Sequence, residues 1–248
     1  MFLCRFSMKQ RFEQGKEITI EETADGSMTL FVPELNEHYH SVNGAVQESR
    51  HVYLEAGLFH YLQSNDIIPE TEIQVLEFGL GTGLNAFLTA LEAEKQKLKI
   101  CYTALEIYPL PLEITNRLNY STANQSLFQR IHQSDWAVPI SVTPYFTLQK
   151  LAVNFEKFDF PGRYDVVYFD AFAPDKQPEV WSQKLFDKIF SAMNPCGVLT
   201  TYCAKGSIRR MMKQVGFTVE RIPGALGKRE MLRANKSVNK NTFFATFF

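Results

Sequence analysis

The stretch Glu77-Phe78-Gly79-Leu80-Gly81-Thr82-Gly83-Leu84-Asn85 decides how the rest of the chain is read. An apolar run, Ile73–Phe78, leads into it, and a helical pattern, Leu84–Lys95, leads out. Three glycines directly after a buried strand let the backbone approach a ligand closely, where any side chain would collide with it. Downstream, Ile100–Leu105 reads as a second strand and Leu110–Leu118 as a helix entered through Pro109 and Pro111. Tyr145–Val153 reads as a third strand. Tyr164–Phe169 is almost wholly apolar, as a strand buried on both faces of a parallel sheet should be. Helices over Pro178–Met193 and Ile208–Val215 alternate with strands over Val198–Tyr202, Phe217–Ile222 and Thr242–Phe248. Repeated βα units predict an α/β fold, with ligands at the carboxyl ends of the strands near the switch in strand order.

Upstream of this alternation, Ile18–Glu22 and Met28–Val32 flank Ala24-Asp25-Gly26-Ser27, a hairpin signal. Leu35–Gly44 is polar and reads as a loop. Val46–Gln63 reads as a helix that gathers Val46, Val52, Tyr53, Leu54, Leu58, Phe59 and Leu62 toward one face. Residues 1–70 are expected to form an N-terminal extension packed on a Rossmann-like domain over 71–248.

The glycine spacing is GxGxG, whereas a dinucleotide site wants GxGxxG with its pyrophosphate at a helix N-terminus. Glu77, two positions before the first glycine, sits badly with a diphosphate. It suits a cationic ligand such as the amino-acid moiety and sulfonium of S-adenosylmethionine. Glu106 ends the next strand, where a carboxylate can accept hydrogen bonds from both ribose hydroxyls. Together these elements point to a class I methyltransferase cofactor site; the bland alternative is a glycine turn with a solvated Glu.

The buried strand at 164–169 runs straight into Asp170-Ala171-Phe172-Ala173-Pro174. Asp170 should lie at the lip of the sheet beside the transferable methyl. Phe172 offers a flat surface for a base, and Pro174 stiffens the loop. An Asp after a strand also serves as a turn or helix-cap residue.

This segment resembles the methyltransferase half of the MnmC-type tRNA-modification enzymes. The resemblance is carried by Phe-Asp-Ala-Phe-Ala-Pro at 169–174, Pro178 with Trp181, Leu185-Phe186 and Asn194-Pro195-Cys196-Gly197. Gly216-Phe217, Gly227-Lys228-Arg229-Glu230-Met231 and Gly79–Asn85 add to it, as do Tyr39-His40-Ser41 and Glu48-Ser49-Arg50-His51-Val52. It runs in order over roughly residues 25–235. It implies a mostly parallel seven-stranded sheet. The implied reaction is methyl transfer from S-adenosylmethionine to the amine of a 5-aminomethyl-(2-thio)uridine at the tRNA wobble position. Implied catalytic residues are Asp170, Phe172 and Pro174. Implied cofactor-binding residues are Glu77, Gly79, Gly81, Gly83, Asn85, Glu106, Asn154 and Asp170, with Tyr39 at the substrate. Asn154 stands where the family commonly has an acid near the adenine, and Cys196 where it has a glycine. The oxidase half of the bifunctional enzymes has no counterpart in this sequence, so a stand-alone methyltransferase is expected. Alternatives are a methyltransferase or aminopropyl transferase acting on a small amine, or a non-catalytic RNA-binding module.

The composition is that of an ordinary globular protein: 248 residues, 45% hydrophobic and 21% charged, which excludes disordered and collagen-like classes. Its net charge of -1 hides an uneven distribution. Residues 205–240 hold ten basic and two acidic side chains, leaving the remainder strongly acidic. Phosphate recognition needs a local basic surface, so Lys205, Arg209, Lys228 and Arg229 are expected to contact tRNA, while Lys236 and Lys240 read equally well as a solvated tail. Cys4, Cys101, Cys196 and Cys203 show no metal-ligand spacing; reduced core thiols and no metal are expected. The first eleven residues, with Arg5, Lys9 and Arg11, lack the apolar core of a signal peptide. No apolar run approaches the ~20 residues of a membrane span. A cytoplasmic protein without an obligate protein partner is expected.

Overall fold

A computed structural model describes residues 18–68, 70–120 and 123–237. Cys4, Arg5, Lys9, Arg11, Lys240 and the strand expected over Thr242–Phe248 lie outside the described residues. The predicted hairpin pairs β1 (Thr19–Glu22) antiparallel with β2 (Met28–Val32), and β3 (Glu37–His38) adds a short third strand within the expected loop. Helix α1 follows as three continuous parts: Ala45–Ser49, wider π-helical turns over Arg50–Phe59, and His60–Ser64. The expected apolar face is present but broader than a regular helix would give. Val52-Tyr53-Leu54 and Ala56-Gly57-Leu58 are both buried triplets. Gly57 leaves room for the neighbouring sheet, since a Cβ there would lie 3.1 Å from the Tyr168 ring and 3.2 Å from Thr200 Oγ1.

The main sheet contains β4 (Glu72–Phe78), β5 (Lys99–Glu106), β6 (Pro139–Thr143), β7 (Phe146–Ala152), β8 (Tyr164–Phe169), β9 (Met193–Thr201), β10 (Thr218–Pro223) and β11 (Glu230–Asn235). Its order is β10-β11-β9-β8-β4-β5-β7-β6. Pairing is parallel from β9 through β7 and antiparallel at both margins, where β10, β11 and β6 join. Among the described residues the sheet thus has eight strands where seven were expected. The extra one, β6, folds back on β7 as an edge strand with Val142 alone fully buried, too little apolar pattern to be read. β11 was also unread, because its Met231, Leu232 and Ala234 are interrupted by Arg233.

Helices α2 (Leu84–Gln96), α3 (Leu112–Thr115), α4 (Gln125–Gln133), α5 (Gln183–Ala192) and α6 (Gly206–Val215) complete the described architecture. The helix expected over Leu110–Leu118 shrinks to the single turn of α3. The one expected over Pro178–Met193 splits instead. Pro178–Val180 forms a 3-10 turn, and Ser182 then caps α5 by accepting from the Leu185 amide.

β8 shows how the sheet divides the core. All six of its residues are buried, and successive side chains point to opposite faces. Val166 and Tyr168 join α1 and α2 on one face, where Tyr53 and Tyr102 meet the Tyr168 ring. Val167 and Phe169 join α5 and α6 on the other, where Phe169 touches Phe78, Trp181 and Phe186. The chain departs in opposite directions from β4, to β5 on one side and β8 on the other. The switch point therefore lies between the ends of β4 and β8, immediately beside the glycine turn.

The cysteine expectation holds for Cys203, which is buried; Cys101 is half-buried and Cys196 exposed, so not all are core thiols. Cys196 adopts φ 62, a left-handed conformation, which explains why a glycine suits that position. Among the described residues, no helix is long and apolar enough to cross a membrane, and no cluster of side chains could hold a metal ion.

Candidate active site

The ends of β4, β5, β8 and β9 meet the 37–42 segment and the β10–β11 turn around a cavity of about 270 Å³. Gly79, at φ 90, and Gly81, at φ 48, lie on its wall. A Cβ on Gly79 would stand 2.6 Å from the Asp170 carbonyl oxygen, and one on Gly81 3.0 Å from the Tyr39 ring. Gly83 does a different job. It caps α2 at φ 73, and its missing side chain admits His132, whose Nε2 would lie 2.8 Å from a Cβ. Gly83 is therefore behind the cavity, where helix packing requires it.

Glu106 anchors the turn from the next strand. One carboxylate oxygen accepts from the Gly81 amide and the other from the Tyr108 amide, each at 2.8 Å. Glu106 also lines the cavity, and a carboxylate has more acceptor sites than these two amides occupy. Burial pushes this carboxyl upward, and the backbone donors pull it back.

Asp170 holds the opposite wall. Its amide donates to the Phe78 carbonyl at 2.9 Å, which locks it to the switch point. The following loop is pinned through its carbonyls: Tyr202 Oη donates to Ala171 at 3.0 Å, and Trp181 Nε1 to Phe172 at 2.8 Å. Phe172 meets Tyr39 edge to face at 5.1 Å, so both predicted aromatics flank the same space. Pro174 is not on the cavity wall. It lies in the turn beyond, where Ala173 accepts from the Lys176 and Gln177 amides.

Beneath the wall, Asn85 joins the two acids that the sequence singles out. Its Nδ2 donates to Glu77 Oε1 at 2.9 Å and to Asp170 Oδ2 at 2.8 Å. Glu77 and Asn85 are buried and do not line the cavity, so they act through Asp170 rather than on a ligand directly. Burial pushes Asp170 up to about 7, against the pull of the Tyr53 hydroxyl, Asn85 and Lys228. It drives Glu77 well above the carboxylate range, so Glu77 is held neutral. Two adjoining carboxyls thereby carry at most one negative charge between them.

Asn154 is exposed, and its side-chain oxygen accepts from the Glu156 amide at 3.0 Å, capping a short 3-10 turn. Its neighbour Phe155 reaches the cavity instead.

The basic residues separate into two sets. Lys228 lines the cavity, donates to Glu48 at 2.5 Å and lies 4.2 Å over the Tyr202 ring. It therefore stands paired on the cavity wall rather than on an open basic face. Lys205 pairs with Asp175, Arg233 with Glu220 and Arg221 with Glu230. Lys236 donates to the Phe190 and Met193 carbonyls, so it is no solvated tail. Arg209 on α6 and the exposed Arg229 have no ion pair among the described residues, and neither do Arg210 and Lys213.

Glu48 is the principal site residue that sequence reasoning did not assign. It is buried, accepts from the Ser41 amide at 2.6 Å and carries Lys228 on its other oxygen. Its only signal was its place in the Glu48–Val52 block. Tyr202 and Glu37 also line the cavity without having been singled out.

Residues 118–237 match a family described as S-adenosyl-L-methionine-dependent methyltransferases, a segment that includes Asp170 and Lys228 but not the glycine turn. Over 216 residues the chain is 30% identical to the tRNA 5-methylaminomethyl-2-thiouridine biosynthesis bifunctional protein MnmC of Marinomonas sp. (strain MWYL1), covering 78% of this chain and 30% of that protein. The protein of the same name from Pseudomonas savastanoi pv. phaseolicola is 28% identical over 214 residues, 79% of this chain and 31% of its own. The chain thus spans about a third of the length of the curated relatives it matches. The crystal structure of MNMC2 from Aquifex aeolicus superimposes with a TM-score of 0.70 at 23% identity, covering 90% of this chain and 72% of that one. Spermidine synthase from Thermotoga maritima gives 0.54 at 12% identity, covering 90% and 73%. These two likenesses speak for the fold. Over residues 118–237 the chain thus matches an S-adenosyl-L-methionine-dependent methyltransferase family, most of it is similar to about a third of the MnmC proteins, and its fold is that of the MNMC2 structure.

Proposed function

We propose that the protein is a tRNA methyltransferase that methylates the amine of 5-aminomethyl-(2-thio)uridine at the wobble position. The observation that carries this reading is the cavity itself, where a glycine cradle and Glu106 face Asp170 and Phe172. S-adenosylmethionine fits the residues present: the cradle has no room for a Cβ, and the carboxylates of Glu37, Glu48, Glu106 and Asp170 suit a cation. Gly79, Gly81 and Glu106 would hold it, and it would supply a methyl group activated by a sulfonium. The chain's task is then positioning, which can be worth ~7–11 kcal/mol of barrier. A nucleophilic amine must be neutral, and Asp170, with a value near 7, can accept its proton or orient its lone pair. Phe172 and Tyr39 offer flanking faces for a base. Action on tRNA would place the protein in the cytoplasm.

The test is transfer of labelled methyl to tRNA that carries the aminomethyl nucleoside, followed by nucleoside mass spectrometry. The expected result is the 5-methylaminomethyl nucleoside; no tRNA product would overturn the proposal. The acidic lining favours a second reading, a small cationic amine as acceptor. That reading predicts product formation without tRNA.

Arg209 and Arg210 are the candidates for phosphate binding. Reversing both to Glu is expected to weaken tRNA binding and to flatten the log–log salt dependence by about 0.7–0.9 for each phosphate no longer neutralised. An unchanged slope would remove them from the interface.

A further inference from the structure

The cavity contains one cation among carboxylates, and the fold holds it on a closely fitted backbone. Lys228 sits in the turn between β10 and β11. Gly224 packs there so closely that a Cβ would lie 2.5 Å from the Lys228 carbonyl oxygen. Gly227, at φ 83, would place a Cβ 2.1 Å from Asn43 Nδ2, so the turn is seated directly on the loop that precedes α1. From this fixed backbone the ammonium reaches Glu48 and the face of Tyr202, whose hydroxyl holds the Asp170 loop. Glu48 and Lys228 are 180 residues apart in sequence.

We propose that the Lys228–Glu48 pair is the charge-selecting element of the cavity, which makes the site accept the substrate amine in its neutral form. This inference rests on the reading of an amine acceptor given above. A fixed positive charge raises the cost of an ammonium nearby, while a carboxylate lowers it. Glu48 alone would side with Asp170 and hold the amine as an ammonium, which has no lone pair. Lys228 cancels Glu48, so that Asp170 meets the amine without a second negative charge from Glu48 beside it. The same three groups already act on one another: Glu48 raises the Asp170 carboxyl and Lys228 lowers it. The other titratable groups around this space are Glu37 and His38 on β3, buried His40 after it, and Glu106 on β5. Cys203 and Tyr202 approach from β9, and burial keeps both protonated. Burial lowers His40 to about 4, so that ring adds no second cation at neutral pH.

A phosphate-binding lysine would behave differently. Its loss would raise KM at every pH and reduce the salt dependence of tRNA binding. The pair is tested with Lys228→Met and Glu48→Gln, each assayed for methyl transfer between pH 6 and 10. Lys228→Met is expected to move the acidic limb of kcat up by about one unit, with kcat recovering at high pH and KM not raised. Glu48→Gln is expected to move the limb down. Binding of aminomethyl-bearing tRNA, measured without methyl donor, supplies a readout independent of turnover. At pH 6 Lys228→Met should bind it more tightly than the unsubstituted protein does. Limbs that stay in place, or that move in the same direction in both variants, overturn the inference, as does a flattened salt dependence in Lys228→Met. Absence of tRNA methylation by the unsubstituted protein overturns the functional reading instead.

Discussion

Asp170→Asn is expected to lower the rate of methyl transfer by about 10²–10⁴-fold, the usual worth of a positioned acid–base group. The amide preserves the shape of the side chain and can still accept from Asn85, whose Nδ2 lies 2.8 Å from Asp170 Oδ2. What it removes is the site that takes a proton near neutrality. Single-turnover assays should show the loss in the chemical step, while calorimetry shows S-adenosylmethionine binding largely retained. A near-normal single-turnover rate would take Asp170 out of the chemistry. The same variant should be more stable at pH 8. The folded carboxyl is raised from its ordinary 3.8 to about 7, so its deprotonation disfavours the folded state. Stability from this group is complete below 3.8 and is lost as pH rises through 7. Asparagine removes that loss, at most about 4 kcal/mol before water at the cavity mouth reduces it. Denaturant unfolding should therefore show a gain at pH 8 that disappears near pH 4. A gain at both pH values would mean that the cost of Asp170 is not its charge.

Gly79→Ala is expected to damage fold and site together. At φ 90 an alanine is strained by about 1–3 kcal/mol. Its Cβ would also meet the Asp170 carbonyl oxygen at 2.6 Å, a backbone atom that cannot swing away. Relief requires β4 and β8 to separate at the switch point, which breaks the hydrogen bond from the Asp170 amide to Phe78. A total loss of about 3 kcal/mol lowers Tm by roughly 6–12 °C for a domain of this size. Cofactor affinity should fall in parallel. An unchanged Tm with unchanged affinity would show that the turn tolerates a side chain and is no close-fitting cradle.

Gly79 and Gly81 were legible because their requirement is local: a turn out of a buried strand and into a helix. Asp170 was legible for the same reason, since six consecutive buried residues deliver it to the end of a strand. The helix α4 was not, because only Phe128 and Ile131 of its nine residues are buried. The reading of Gly83 as a ligand contact missed His132, which approaches it from a helix that had not been recognised. Asn154 was assigned by position in a motif, while its side chain is spent on capping its own turn.

By itself the sequence determined the βα alternation, the glycine turn, the two carboxylates at strand ends and the excess of basic residues near the C-terminus. Each of these follows from side-chain period or from backbone conformations that few residues can adopt. Only the tertiary structure decided which charges are free and which are matched. Lys228 and Arg229 are adjacent in sequence and equally basic. One is turned into the cavity onto Glu48, while the other faces solvent. Charge pairing depends on which loops the sheet order brings together, and that information is in the topology rather than in any local run of residues.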